Sequence, residues 1–528
     1  MATPVSDQSG SQSPEESDME ITKDEESKPP SLYPVQSRMQ EPQSLPREIA
    51  FVGVLCMAQL MTQAGLGQSI APLHIIGDSF SITSPGQLSW IPAAYSLTVG
   101  TFILIAGRLG DLYGHKRFFI AGFLWYGFWS LMAGFSVYVQ RGGGKGAIFF
   151  YVCRALQGIG PAFLLPNAIA ILGRTYAPGR RQEMIFSLFG ATAPSGFNLG
   201  AVFSSLFAQT VWWPWAFWVM GIICFLFALA GYFAIPHAPS PHLDNKKDGM
   251  TAWARCDGWG SVTGIVALVL INFAWNQGPV VGWTTPYTYI ILIIGFLFLC
   301  LFGLIETRAT FPLIPRAALS SDTAFVLGCI SAGWASFGIW VYYLWQFCEE
   351  LKHVSPLLVS AYFVPTSVSG LIAAMTTGMI LHRVPASFVM LIAMLGFMTG
   401  IILVATAPIN QMYWAQIFVA VVVMPWGMDM SFPAGTILLS NRMRREEQGV
   451  AASLMNTVIN YSISIGLGMA GTIEGRVGGS GEEGLLRGYR AALYFGIGIS
   501  GLGVLTALAF GTSHYSKARN GRGREGGG

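Results

Sequence analysis

The chain has 528 residues, of which 52% are hydrophobic and 11% charged, with a formal net charge of +3. Ordinary soluble domains carry roughly 25% charged residues, so this composition excludes a typical water-soluble enzyme and indicates an integral membrane protein. The small net charge gives no argument for a nucleic-acid partner; in such a chain what matters is where the lysines and arginines fall.

Residues 1–46 are rich in Ser, Pro, Glu and Gln and hold no apolar run, so they read as a disordered tail. They contain no signal peptide, which leaves insertion to the first span. Apolar runs of about 20 residues can cross a hydrocarbon layer of about 30 Å. They predict fourteen helices, at 48–70, 87–107, 118–139, 147–172, 183–208, 212–236, 258–277, 286–305, 322–347, 356–380, 385–406, 411–440, 449–473 and 488–511. A short loop, 237–257, interrupts them, and a second disordered tail, 512–528, follows.

Charge supports the number and fixes an orientation. With the N-terminus inside, the cytoplasmic connections hold fifteen basic residues: Arg108, Lys116, Arg117, Arg174, Arg180, Arg181, Lys246, Lys247, Arg255, Arg308, Arg316, Arg383, Arg442, Arg444 and Arg445. The opposite connections hold six, Arg141, Lys145, Lys352, Arg476, Arg487 and Arg490. Cytoplasmic loops carry such an excess. Both termini are therefore expected inside.

Between the second and third spans runs GRLGDLYGHKR, Gly107 to Arg117, a dense charge cluster between nearly uncharged flanks. Its ions require a membrane surface, and its glycines suit a tight turn. It reads as a charged hairpin acting as hinge or latch, with Gly107, Arg108, Asp111, Gly114, Lys116 and Arg117 as the gating residues. Later spans are interrupted by Pro92, Pro161, Pro166, Pro194, Pro365, Pro425 and Pro433. Such breaks persist in a membrane where neighbours or a water-filled cavity satisfy the freed backbone groups.

The halves repeat. GPAFLLPNAIAIL, ending at Leu172, matches GMDMSFPAGTILL, ending at Leu439, with Pro166 over Pro433 and Gly160 over Gly427. Ser187-Leu188 falls over Ser453-Leu454 and Ser84-Pro85 over Ser355-Pro356, at offsets of 266 to 271 residues. The second copy of the charged hairpin is reduced to His382-Arg383. The expected organisation is an N-terminal six-helix bundle (47–236), the cytoplasmic loop 237–257, two inserted helices (258–305) and a C-terminal six-helix bundle (306–511) in the same orientation.

Arg154, in RALQGIGPAFLLPNA, and Asp429, before Met-Ser-Phe-Pro, are ions within predicted spans. An intramembrane ion is a functional candidate by default, and a lone buried carboxylate is a candidate protonation site. Alternatively, Arg154 snorkels to the outer surface and Asp429 has a quiet structural role. Gln59, Gln63 and Gly67 share a helical face. With Asn167, Asn198, Asn456, Asn460 and Trp90, Gln59 and Gln63 are candidates to line a substrate cavity, interhelical glue being the alternative for the amides.

No G-x-x-x-x-G-K-(S/T) occurs, and GGGKG at Gly142 to Gly146 has the wrong spacing, so ATP is not the energy source. No nucleophile elbow, HExxH or Cys/His ligand spacing appears, so neither catalysis, a metal nor a cofactor is expected. The seven cysteines are expected to be free thiols.

The spacing Gly107-x-Leu109-x-Asp111-x-x-Gly114-x-Lys116-Arg117 resembles the signature between helices two and three of the major facilitator superfamily. Arg154-Ala-Leu-Gln-Gly resembles that family's fourth-helix motif, whose arginine is associated with proton transfer in antiporters. Trp90 and Tyr95 match a W-x4-Y of the fourteen-helix drug:proton antiporters, and Ala193-Pro194 with Gly196 and Gly200 matches their fifth helix in part. The sequence departs from them at Gln63, where they carry an aspartate. LCMAQLMTQAGLGQSIAPLHIIGDSF and WIPAAYSLTVGTFILIAGRLGDLYGHKR resemble fungal aminotriazole-resistance-like and low-affinity ammonium transporter-like proteins. The resemblance implies an all-α membrane fold of 6+2+6 helices, with substrate handled at the midplane and access alternating by rocking. It further implies a proton-coupled antiporter exporting toxic compounds or secondary metabolites, acting as a monomer in the plasma or vacuolar membrane, with a small-molecule substrate, protons and the bilayer as partners. Two other readings stand beside it: movement of a small polar solute such as ammonium or borate, and a transporter-like sensor, which the shortness of 237–257 disfavours.

Overall fold

The computed structural model describes residues 44–525 apart from 83, 144, 178, 237–252, 254–255, 311, 315–319, 382 and 441–447. Residues 1–43, most of the 237–257 loop, and His382, Lys246, Lys247, Arg255, Arg316, Arg442, Arg444 and Arg445 thus lie outside the described residues.

Every long apolar run folds as a helix. In chain order these are α1 (Leu45–Ile70), the short α2 (Leu73–Ser79), α3 (Pro85–Tyr113), α4 (His115–Gly143), α5 (Gly146–Thr175), α6 (Arg180–Thr210) and α7 (Pro214–Ala234). There follow α8 (Gly258–Val281), α9 (Pro286–Arg308), α10 (Ser321–Gln346) with a π-helical turn Phe347–Leu351, and α11 (Pro356–Ile380). The last four are α12 (Ala386–Ala405), α13 (Gln416–Ser440), α14 (Gln448–Val477) and α15 (Gly481–Glu525). Proline occupies the first turn of α1, α3, α7, α9 and α11, where its missing N–H costs nothing. Ser320 caps α10, accepting from the Thr323 N–H at 3.2 Å, and Asp257 caps α8, accepting from Gly260 at the same distance.

Among the described residues, twelve helices are long and apolar enough to cross a membrane. The two long helices outside that group are α6 and α14. Packing sorts the helices into two sets. In the first, α1 lies on α6, α5 on α3 and α4, and α4 on α7; in the second, α10 lies on α14 and α15, α12 on α13 and α15, and α11 on α13. The sets meet where α3 runs along α14 and α6 along α11. That is the second member of each set against the fifth of the other, the contact pattern of a two-fold duplication. The pair α8 and α9 packs on α3 and α14 through α8.

Close approach within the first set depends on small residues. A Cβ at Gly196 would stand 2.8 Å from Leu60 Cα and one at Gly200 2.6 Å from Ala64 Cα, so glycine lets α6 lie against α1. Two expectations need correcting. The segment from Gly107 to Arg117 is helical on both sides of a single break at Gly114, whose φ of +100° favours glycine; α3 simply carries its charges on its last turns. The last helix, α15, runs to Glu525, past the limit of 511 drawn from hydropathy.

Candidate functional site

Arg154 is fully buried among α1, α3 and α5. Its Nε donates to the Ile91 carbonyl at 3.2 Å, one terminal nitrogen to Gln157 Oε1 at 2.5 Å, and the other to the Gly65 carbonyl at 2.9 Å and Ser69 Oγ at 2.8 Å. The guanidinium also faces the Tyr95 ring, 4.6 Å from its centroid. Each of its three nitrogens donates, in four hydrogen bonds, and none of the acceptors is a carboxylate. Gln157 passes the network on, donating to Ser130 Oγ at 2.6 Å, while the Tyr95 and Tyr126 hydroxyls donate to the carbonyls of Thr62 and Met61.

Asp429 lies in α13, away from this network. Its Oδ2 is buried and has no hydrogen-bond partner. A Cβ built at Gly370 of α11 would stand 2.5 Å from that oxygen and 3.0 Å from Pro194 Cγ of α6. The carboxylate therefore points at the seam where the two sets of helices meet. The sequence offers Arg154 and Asp429 as two separate intramembrane ions, and the structure keeps them apart, every hydrogen-bond partner of Arg154 lying in the first set.

At the end of α3, Asp111 Oδ1 accepts from Arg174 of α5 at 2.9 Å and lies 3.3 Å from His115 Nε2. His115 Nδ1 lies 2.8 Å from Asn167 Oδ1, and Asn167 donates to the Phe163 carbonyl at 2.7 Å. Lys116 caps the end of α7, donating to the carbonyls of Tyr232 and Ile235 at 2.7 and 2.5 Å. Arg117 is exposed, and Arg108 acts electrostatically on Asp257. Gly107 packs against Ser453 of α14, a Cβ there standing 3.2 Å from Ser453 Oγ. These charges thus join α3 to α5 and α4 to α7 at one end of the first set.

The remaining candidates separate. Asn198 bridges the seam, donating to the Phe363 carbonyl at 3.0 Å, Thr366 Oγ1 at 2.9 Å and Ser367 Oγ at 2.6 Å on α11. Asn460 donates to the Asn456 carbonyl at 3.0 Å within α14, and its Cβ approaches Gly100 of α3. Gln59 and Gln63 are half-buried. Trp90 leaves the central seam and packs on Phe273 of α8, with ring centroids 5.4 Å apart. Asn167, spent on His115 and backbone, is fully buried.

Sequence reasoning missed several buried polar groups. Glu474 of α14 is 6% exposed and its Oε2 accepts from the Tyr343 hydroxyl at 2.8 Å. His74 of α2 is hydrogen-bonded to Gln346, and its Nδ1 lies 3.4 Å from Glu350 Oε1. Both contacts join the first set to the second. Asn276 donates to Asn272 Oδ1 at 2.8 Å, and Ser464 of α14 donates to the same oxygen at 2.8 Å, tying α8 to α14. The available signal was Asn272 and Asn276 spaced one helical turn apart in an otherwise apolar run.

A family model described as Major Facilitator Superfamily matches residues 53–467. The chain belongs to this superfamily. It is 64% identical over 480 residues to the low affinity ammonium transporter of Saccharomyces cerevisiae, covering 91% of this chain and 92% of the relative. It is 51% identical over 481 residues to efflux pump terJ of Aspergillus terreus, covering 91% of each. Among solved structures it is similar to a peptide transporter POT in complex with sulfate, with a TM-score of 0.64 at 16% identity, covering 91% of this chain and 97% of that one. The last is a likeness of fold alone. The superfamily member described here is a transporter and not an enzyme, with relatives among fungal efflux pumps.

Proposed function

We propose that this superfamily member is a secondary exporter of small toxic or secondary metabolites, driven by protons and working by alternating access. The observation that carries the reading is Asp429. A carboxyl aimed at the seam of a two-fold assembly, with one oxygen unpartnered, can change its charge there only by taking up or releasing a proton. Such a change alters the cost of closing Gly370 and Pro194 upon it. One charge moving through about 100 mV supplies about 2.3 kcal/mol, and a pH step of about 2 units adds about 2.7 kcal/mol. Together they sustain a concentration ratio on the order of a thousandfold per proton.

In this reading all fourteen long helices cross the bilayer, α6 and α14 included, with both termini cytoplasmic. The bundles 47–236 and 306–511 rock about the seam, and 258–305 is an insert. Arg154 is a fixed positive charge that orders the first bundle, and the Asp111–Arg174 pair is the cytoplasmic latch. Gln59, Gln63, Asn198 and Asn460 border the path. The protein acts as a monomer, in the plasma membrane.

The identity to an ammonium transporter favours a second reading, transport of a small cation. Reconstituted vesicles separate the two. Under an imposed pH gradient, export predicts movement of apolar toxicants that collapses in Asp429→Asn, while exchange of the same compound between the two sides persists. Gradient-independent methylammonium flux, unchanged in that variant, overturns the proposal in favour of the second reading.

A further inference from the structure

A cavity of about 450 Å³ lies beside the seam, between α3, α8, α9, α10 and α14. Its volume falls in the range of small-molecule sites. Neither Asp429, Arg154 nor any other charged side chain lines it. Leu104, Leu268, Phe302, Leu327 and Val458 supply apolar wall. Its hydroxyls are almost all engaged within the protein. Ser331 and Ser462 pair at 2.8 Å, Tyr461 donates to the Leu268 carbonyl at 3.0 Å, Thr101 to Leu97 at 2.8 Å, and Ser261 to Cys256 at 3.0 Å. Thr457 differs: it is 8% exposed, and its Oγ1 has no partner. A buried hydroxyl left so is costly.

We propose that this cavity binds an uncharged, largely apolar organic molecule with one hydrogen-bonding oxygen, which Thr457 recognises and which enters from the bilayer past α9. The lining excludes ions, whose burial without a partner is far too costly. The route follows from α9, whose most apolar stretch is only 11% buried, so that Leu299 and Phe302 are a wall between cavity and lipid. At one end the cavity has a built floor, where Leu313 donates its N–H to Glu306 Oε1 at 3.1 Å. The inserted helices therefore do more than fill space: with α3, α10 and α14 they enclose a holding site for cargo drawn from the membrane. That role rests on the export reading; the binding does not.

Benzophenone, a neutral ketone that inserts into neighbouring C–H bonds on irradiation, tests the site on the full chain in phosphatidylcholine nanodiscs. The expected result is saturable labelling mapped to Leu268, Leu327 and Val458. Thr457→Val raises the half-saturating concentration roughly two- to tenfold, the loss of one hydrogen bond. Ile265→Trp, which fills the cavity, abolishes the saturable fraction with the circular dichroism melt unchanged; Leu104→Phe serves if that variant does not fold. Unsaturable labelling spread over the outward faces of α9 and α11, indifference to Thr457→Val, or a phospholipid chain that benzophenone cannot displace would overturn the proposal. Saturable labelling without proton-driven export removes the export reading and leaves the site; export with unsaturable labelling does the reverse.

Discussion

A guanidinium in hydrocarbon costs at least about 2.5 kcal/mol even on lenient scales, and Arg154 meets that cost with four hydrogen bonds and a ring face. Lysine cannot reproduce this, because its three donors radiate from one point and do not form a planar fork. Arg154→Lys is expected to keep the charge yet orphan buried acceptors, each at about 1–3 kcal/mol. Its thermal midpoint in detergent should fall well below that of the parent, and an unchanged midpoint would show that the network carries no stability. Asp429 poses the opposite case, a group whose surroundings supply too little. Gly370→Ala places a methyl between the carboxylate and Pro194, where Cβ has only 2.5 and 3.0 Å. The carboxylate can turn away and the proline ring cannot. Proton-driven transport should fall several-fold while counterflow and yield stay near the parent's; equal loss of counterflow would assign Gly370 to packing alone.

The helices were legible in the sequence because a hydrocarbon layer demands long apolar runs; each predicted run falls on a helix, and twelve of the described helices are long and apolar enough to cross a membrane. Their ends were less legible, since a helix outlasts the apolar window that reveals it. Glu306, Glu349 and Glu474 each lie one or two residues beyond a span limit drawn from hydropathy, yet each belongs to a helical turn. Those are the carboxylates that sequence reasoning missed. The candidate site was legible as a set of polar residues, but their facing was not: Trp90 and Asn198 belong to similar runs, and only helix rotation sends one to α8 and the other to the seam. Asp257 at the start of α8 allows a test at this scale. Burial pushes its carboxyl above the usual aspartate range, against the Gly260 hydrogen bond and the Arg108 charge. The folded protein then keeps that proton to higher pH than the unfolded chain, so the group's contribution to stability falls as pH rises through the window above the ordinary aspartate value. Asp257 also sits at φ +45°, which asparagine tolerates. Asp257→Asn should keep the cap and flatten that fall, whereas Asp257→Ala loses the cap at about 1 kcal/mol. Melting curves from pH 4 to 8 that run parallel for parent and Asn variant would contradict the assignment.

Across the whole molecule α3 meets α14 along the seam as far as Gly107 and Ser453, whereas the contacts of His74, Asn198, Phe197 and Ser464 between the two helix sets lie toward the opposite end. There His74 meets Gln346 and Glu350, Asn198 holds α11, Phe197 packs on Trp345 with centroids 6.1 Å apart, and Ser464 Oγ of α14 lies 3.1 Å from the Ala93 carbonyl oxygen of α3. Asp111, Arg174 and Lys116, at the other end, join helices of the first set only. A carrier that rocks must separate the first group and can leave the second intact. Ser205 of α6 and Ser360 of α11 report on this, since both are fully buried and their Oγ atoms lie 3.0 Å apart. Cysteines at such a separation can close a disulfide. In a background with the seven native cysteines replaced, Ser205→Cys with Ser360→Cys should form a bond under copper phenanthroline, lose transport on oxidation and regain it with dithiothreitol, each single variant being unaffected. Full transport by the oxidised pair, with the bond verified by mass spectrometry, would mean that α6 and α11 stay together through the cycle. The two-fold pattern of contacts would then describe how the chain arose and not how it moves.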